Sequence, residues 1–134
     1  MGWWEEVRCD ERIELLIQTL EELKELSNDG IPIVVEGIRD VRTLRALGIE
    51  GQIIHLGHGS VINFAEELGR RYSEIIILTD WDKRGDELSQ RIAKSFRALG
   101  GKPNTRIRGR FKKLAMRDTK DVEGLYGLFL KISH

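Results

Sequence analysis

The sequence predicts one α/β domain built on a mostly parallel central sheet of about four strands covered by helices. Three observations carry that expectation. Short apolar, partly β-branched runs at Ile31–Val35, Gln52–Leu56 and Glu74–Thr79 alternate with segments whose apolar residues recur at helical spacing. The third run is apolar at every position from Ile75 to Leu78, as in a strand covered on both faces and therefore central. The 134 residues, 40% of them hydrophobic, are enough for one core. No apolar run approaches the roughly 18–20 residues that cross a bilayer.

Taken in order, Ile13, Leu16, Ile17, Leu20 and Leu23 mark a helix from Val7 to Leu26, which Ser27-Asn28-Asp29-Gly30 ends with turn chemistry. Residues 1–29 are expected to pack as a helix on a domain formed by residues 30–134, with Trp3 and Trp4 as packing anchors. Pro32 sits near the start of the first strand, where a missing amide donor does least harm. A helix through Val41, Leu44 and Leu47 ends at Gly48. After the second strand, Gly57-His58-Gly59-Ser60 opens a helix marked by Val61, Phe64, Ala65 and Leu68. The third strand leads to a long helix through Leu88, Ile92, Phe96 and Leu99, stopped by Gly100-Gly101. Pro103–Ile107 is predicted as a fourth, edge-like strand, and a last helix runs through Val122, Leu125, Tyr126 and Phe129. The pattern does not fix the order of the strands in the sheet.

Composition narrows the function classes. A chain of this length is short for a multidomain polymerase, kinase or topoisomerase. The lone Cys9 has no internal disulfide partner and makes no thiolate metal site, and the start lacks a secretory pattern, so a cytoplasmic location is expected. A charged fraction of 33%, with three Asn and three Gln, points to a thermophilic source. The formal net charge of zero hides an asymmetry: residues 1–30 hold nine acidic and three basic side chains, and residues 101–120 hold eight basic and one acidic. A basic block of that density suits a polyanion, and nucleic acid is the expected partner.

In an open parallel sheet, ligands bind beyond the carboxyl ends of the strands. The first strand ends in Glu36-Gly37 and the third in Asp80-Trp81-Asp82. If the strand conformation persists, Asp80 and Asp82 point to one side, about 6.5–7 Å apart along the backbone, while Trp81 points away. Converging carboxylates repel unless a cation lies between them, and hard oxygen donors suit Mg²⁺, with Mn²⁺ as a substitute. The competing reading is that Asp82 caps the following helix. Gly57, Gly59 and Ser60 could face a phosphate from a helix N-terminus, or could equally form a tight turn with Ser60 as cap. His55 and His58 do not read as a metal pair.

These residues resemble a family. Val34-Val35-Glu36-Gly37-Ile38-Arg39-Asp40-Val41, followed by Ile77-Leu78-Thr79-Asp80-Trp81-Asp82-Lys83-Arg84-Gly85-Asp86, is similar to the Toprim domain over roughly residues 30–130. Bacterial-type primases, topoisomerases, old-family nucleases, recombination-repair proteins and the bacterial maturase of 5S ribosomal RNA share that domain. The Lys120-Asp121-Val122-Glu123-Gly124-Leu125 stretch is similar to the small maturase type, and a stand-alone primase-like protein is the nearest likeness. The resemblance implies a Rossmann-like fold, Glu36 as general acid/base, and Asp80 and Asp82 as Mg²⁺ ligands. It also implies Gly37 and Gly85 as glycines that let backbone approach a phosphate. Where topoisomerases of this type carry a third acid, this chain has Arg84, and Asp86 is the nearest substitute as a ligand. Ile38 stands where many small relatives carry a basic residue, so Arg39 is expected to supply that charge.

The expected function is therefore Mg²⁺-dependent processing of nucleic-acid phosphodiesters, nuclease-like and on RNA or DNA, with the ion held by Asp80 and Asp82, directly or through water, and with Glu36 as a further metal residue. Arg39, Lys83, Arg84, Arg108, Arg110, Lys112 and Lys113 are expected to contact phosphates, and a protein partner is compatible with this. The alternatives are a non-catalytic binding module that acts with a partner, and a haloacid-dehalogenase-type phosphatase with Asp80 as nucleophile. Arg84 fits the phosphatase pattern poorly.

Overall fold

The computed structural model describes residues 3–133, with side chains from residue 11 onward; the expectations for the side chains of Trp3, Trp4 and Cys9 lie outside the described side chains. The elements run α1 (Trp3–Asn28), β1 (Ile33–Val35), α2 (Ile38–Ala46), β2 (Ile53–His55), α3 (Val61–Arg71), β3 (Glu74–Ile77), α4 (Lys83–Ala98), β4 (Lys102–Asn104), α5 (Arg106–Ala115) and α6 (Glu123–Ile132). All strand pairs are parallel, in the order β2-β1-β3-β4, so the apolar run of β3 lies inside the sheet and β4 at its edge. This is the α/β fold with helical cover that the alternation of periods predicts.

Period-two alternation sorts the strand residues onto two faces. Ile33, Val35, Ile76 and Leu78 join Leu16, Leu20 and Leu23 of α1, Leu44 of α2, Ile107 and Phe111 of α5, and Leu125 of α6 in one core. Val34, Ile75 and Ile77 face the other way, onto Ala65 and Leu68 of α3 and Ile92 and Phe96 of α4. The chain leaves β1 for β2 on one side and returns to β3 on the other. Strand order thus reverses between β1 and β3, and a crevice at their carboxyl ends is the usual ligand position in such sheets.

One element differs from the expectation. The fourth strand ends at Asn104, and Ile107 belongs to α5 rather than to an extended edge. Asn104 Oδ1 accepts from the amides of Arg106 (2.9 Å) and Ile107 (3.4 Å), supplying donors that the first turn of a helix otherwise lacks. The apolar positions Ile107, Phe111 and Ala115 recur at four-residue spacing and are fully buried. The block of cations between them hides that spacing from a reading that follows charge.

Helix α5 also meets the acidic N-terminal region. Glu22 of α1 pairs with Arg106 (2.6 Å) and with Arg110, and Arg12 pairs with Asp118 at 2.6 Å. These exposed pairs are worth little each, whereas Phe111 is fully buried and stacks on Trp81 with ring centroids 6.2 Å apart. Phe111→Ala is accordingly expected to lower the unfolding free energy by about 3–5 kcal/mol, and Glu22→Gln by less than about 1 kcal/mol. Denaturant melts of the two variants check the ranking.

Candidate functional site

Glu36 follows β1 and Asp80 follows the β3 run, so the strand reversal brings their backbones side by side. Glu36 Oε2 accepts from the Asp80 amide at 2.8 Å. Asp80 Oδ1 accepts from the Val122 amide at 3.0 Å, which ties the segment before α6 to the same point. Asp82 is the N-cap of α4, its Oδ1 accepting from Gly85 N at 2.7 Å. The capping role weighed for Asp82 is therefore real. Trp81 turns into the core, 3% exposed, with its indole Nε1 donating to the Thr119 carbonyl (2.7 Å) and its amide to the Lys120 carbonyl (2.9 Å). The strand conformation does not persist through these residues: β3 ends at Ile77 and the chain bends at Trp81 and Asp82 into α4, so the expected strand alternation does not set the direction of the two aspartates.

Three acids that the sequence reading did not assign to the site join this cluster. Asp40, 7% exposed, sits in the first turn of α2 and accepts from the Gly37 amide at 3.1 Å. Burial raises its pKa to about 6, helped by the charges of Asp80, Glu123 and Asp121 against the stabilising Gly37 amide. Asp80 is also raised to about 6, by burial first and then by Glu36, Asp121 and Asp82, with the Val122 amide working in the opposite direction. Asp40 stands at the third position of α2, where a carboxylate can reach back to the N-cap amide; that spacing from Gly37 is legible in the sequence. Asp121 Oδ1 accepts from Gly124 N at 2.7 Å at the start of α6, a turn signal legible in Asp121-Val122-Glu123-Gly124, but only tertiary packing brings it and Glu123 near the cluster.

Among the described residues, no Lys or Arg forms an ion pair with Glu36, Asp40, Asp80, Asp82, Asp121 or Glu123. Hard oxygen donors left without a countercharge suit a divalent cation such as Mg²⁺. Glu36, Asp80 and Asp82 each spend one oxygen on a backbone amide and keep the second free of protein donors among the described residues. As they stand, no three acid, His or Cys side chains converge as a ready ligand cluster among the described residues. A cation bound here would have to be held through those second oxygens or by carboxylates turned off their amides.

Several expectations are corrected. Asp86 does not belong with the ligands: its Oδ1 takes Arg108 and its Oδ2 takes Lys112, both at 2.6 Å. Burial opposes its charge, but these two cations prevail and hold its pKa below the usual carboxylate value. Arg108 is not a free phosphate contact either, being 7% exposed. Its guanidinium donates to the Thr79 carbonyl and hydroxyl, each at 3.0 Å, and to the Asp80 carbonyl at 2.5 Å. Arg110 is turned to Glu22 and Lys112 to Asp86, so the basic block lies on a helix whose charges are largely spent on protein carboxylates. Lys113, Arg39, Lys83 and Arg84 are exposed.

The glycines also divide. A Cβ on Gly85 would meet the Asp80 carbonyl oxygen at 1.7 Å, so this glycine admits protein backbone rather than a phosphate. Gly37 has nothing within 4 Å of its Cβ position and borders open space. Gly57 and Gly59 have φ of +65° and +133°, and Ser60 caps α3 by accepting from Asn63 N at 3.2 Å; the tight-turn reading describes this loop. Its first amide, Gly57 N, lies 3.4 Å from the Glu36 carbonyl, so the loop starts beside the acid cluster. His55 and His58 are both exposed, one at the end of β2 and one in the loop.

The Toprim domain family matches residues 31–114. A UPF0292 protein of Methanosarcina barkeri is 42% identical over 121 residues, spanning 90% of this chain and 85% of that protein. Another, from Methanocaldococcus jannaschii, is 40% identical over 121 residues, spanning 90% of this chain and 94% of its own length. A solved structure of a protein from Aquifex aeolicus has the same fold, with a TM-score of 0.68 at 24% identity over 79% of this chain and 94% of that one.

Two outcomes follow from this geometry. Folded-state carboxyls at about 6, against an ordinary value of 3.8, bind more protons than the unfolded chain between those values. Their contribution to stability therefore falls as pH rises through that window. In EDTA, the Asp40→Asn/Asp80→Asn double variant should gain several degrees of melting temperature relative to the parent on going from about pH 4.5 to about pH 7.5. Gly85→Ala should cost about 3 kcal/mol through overpacking against Asp80, read by denaturant melts.

Proposed function

The chain belongs to the Toprim domain family, among the UPF0292 proteins, and on that premise we propose that it hydrolyses nucleic-acid phosphodiester bonds with the aid of Mg²⁺. Membership goes with metal-dependent nucleic-acid processing in general. One observation supports the finer reading: Glu36 and Asp80 are locked together at the reversal between β1 and β3 inside a cluster of carboxylates without a countercharge.

Asp80 and Asp82 would hold the ion, with Mn²⁺ as a substitute, and Glu36 would add to the negative field around it. A bound ion would supply charge neutralisation at the phosphodiester oxygens. Glu36 exchanges a proton with the attacking or leaving oxygen through Oε1, since Oε2 is held by the Asp80 amide. Arg39 on α2 and Lys83 and Arg84 at the start of α4 are exposed beside the acids and hold flanking phosphates. The open space beside Gly37 leaves room for a substrate backbone to approach.

Glu36→Gln is expected to keep Mg²⁺ and nucleic-acid binding while turnover of labelled RNA or DNA falls by roughly 10²–10⁴-fold. Asp80→Asn and Asp82→Asn should instead raise the Mg²⁺ concentration needed for half-maximal activity. Asn caps a helix about as well as Asp, so Asp82→Asn should leave the melting temperature nearly unchanged. Three variants that cleave like the parent would overturn the assignment. A second reading, a binding module that lends its acids to a partner's site, is favoured by the lack of three converging side chains among the described residues. Salt-sensitive nucleic-acid binding by the purified chain, with no Mg²⁺-dependent cleavage, nicking or joining, selects that reading instead.

A further inference from the structure

Beside the acid cluster, a groove of about 610 Å³ runs between α4 and α5. Its walls are Gln90, Lys94 and Arg97 from α4, Arg108 and Lys112 from α5, and Thr105 just before α5. Four cations line it against a single carboxylate, Asp86, which Arg108 and Lys112 already share at 2.6 Å each. Lys94 and Arg97 are exposed and form no ion pair among the described residues. The positive charge left over therefore lies along the outer half of the groove. At its inner end, Arg108 donates to the Asp80 carbonyl at 2.5 Å, so the groove opens next to the acid cluster.

We propose that this groove carries the sugar-phosphate backbone of a single nucleic-acid strand and leads it to the acids at the ends of β1 and β3. The inference rests on the nucleic-acid reading above and adds the path of the strand and two residues, Lys94 and Arg97, that hold it. Lys94 and Arg97 stand about 4.5 Å apart along α4, and Arg108 and Lys112 line the groove on its other wall; cations in a row suit successive phosphates better than one compact anion. Among the described residues no aromatic side chain lines the groove, which favours recognition of the backbone, independent of sequence, over stacking on bases. Gln90 and Thr105 supply neutral hydrogen-bonding groups at the rim.

The test is fluorescence anisotropy of labelled single-stranded RNA, single-stranded DNA and duplex DNA with the full chain in EDTA, where no turnover occurs. Lys94→Glu/Arg97→Glu should weaken single-strand binding at least about tenfold and lower the slope of log affinity against log salt by about 1.4. The same charge reversal on α3, Arg70→Glu/Arg71→Glu, should change affinity less than about twofold. A groove variant that melts like the parent and binds like the parent overturns the groove and leaves the nucleic-acid reading standing. So does a parent that binds duplex but not single strand. A parent that binds no nucleic acid at low salt overturns both.

Discussion

The short backbone stretch Thr79–Asp80 is gripped by groups from four separate parts of the chain. Glu36 takes the Asp80 amide, Arg108 takes the carbonyls of both residues, Val122 takes the Asp80 carboxylate, and Gly85 lets the first turn of α4 lie against the Asp80 carbonyl. Without that grip, mutual repulsion would spread the acids apart, because burial and neighbouring charge already push Asp40 and Asp80 up to about 6. The fold stabilises a locally unfavourable arrangement with energy from its two cores, as expected where strain or repulsion serves a site.

Arg108 shows how the grip reaches the hydrophobic core. It lies on α5 between Ile107 and Phe111, which are both fully buried, and Phe111 stacks on Trp81, the residue between the two aspartates. Packing of α5 and placement of Asp80 are therefore one problem. A change in either moves the other, and coupling of this kind makes effects of neighbouring substitutions non-additive.

Much of this architecture is legible in the chain before any coordinates. The strands announce themselves by β-branched runs, the acids by their position at strand ends, and the edge strand by Pro103. What escapes is what depends on contacts between distant segments. Asp121 and Glu123 lie more than 40 positions after Asp80 and nothing local brings them back, yet the Val122 amide between them closes on its carboxylate. Arg108 reads as one cation among eight in residues 101–120, and only its burial reveals a scaffold role. Gly85, read as making room for phosphate, makes room for carbonyl, because the same absence of a side chain serves either neighbour.

The charge asymmetry along the chain has a practical corollary. Leu16, Leu20 and Leu23 of α1 cover the core beside α5, and Glu22 of the same helix neutralises Arg106 and Arg110. The matched family region begins at residue 31 and leaves that helix out. A fragment trimmed to it would bare a greasy surface flanked by unquenched guanidinium groups, and such a surface is adhesive toward acidic polymers of any kind. Truncation at the family boundary would thus manufacture an affinity that the longer chain keeps covered.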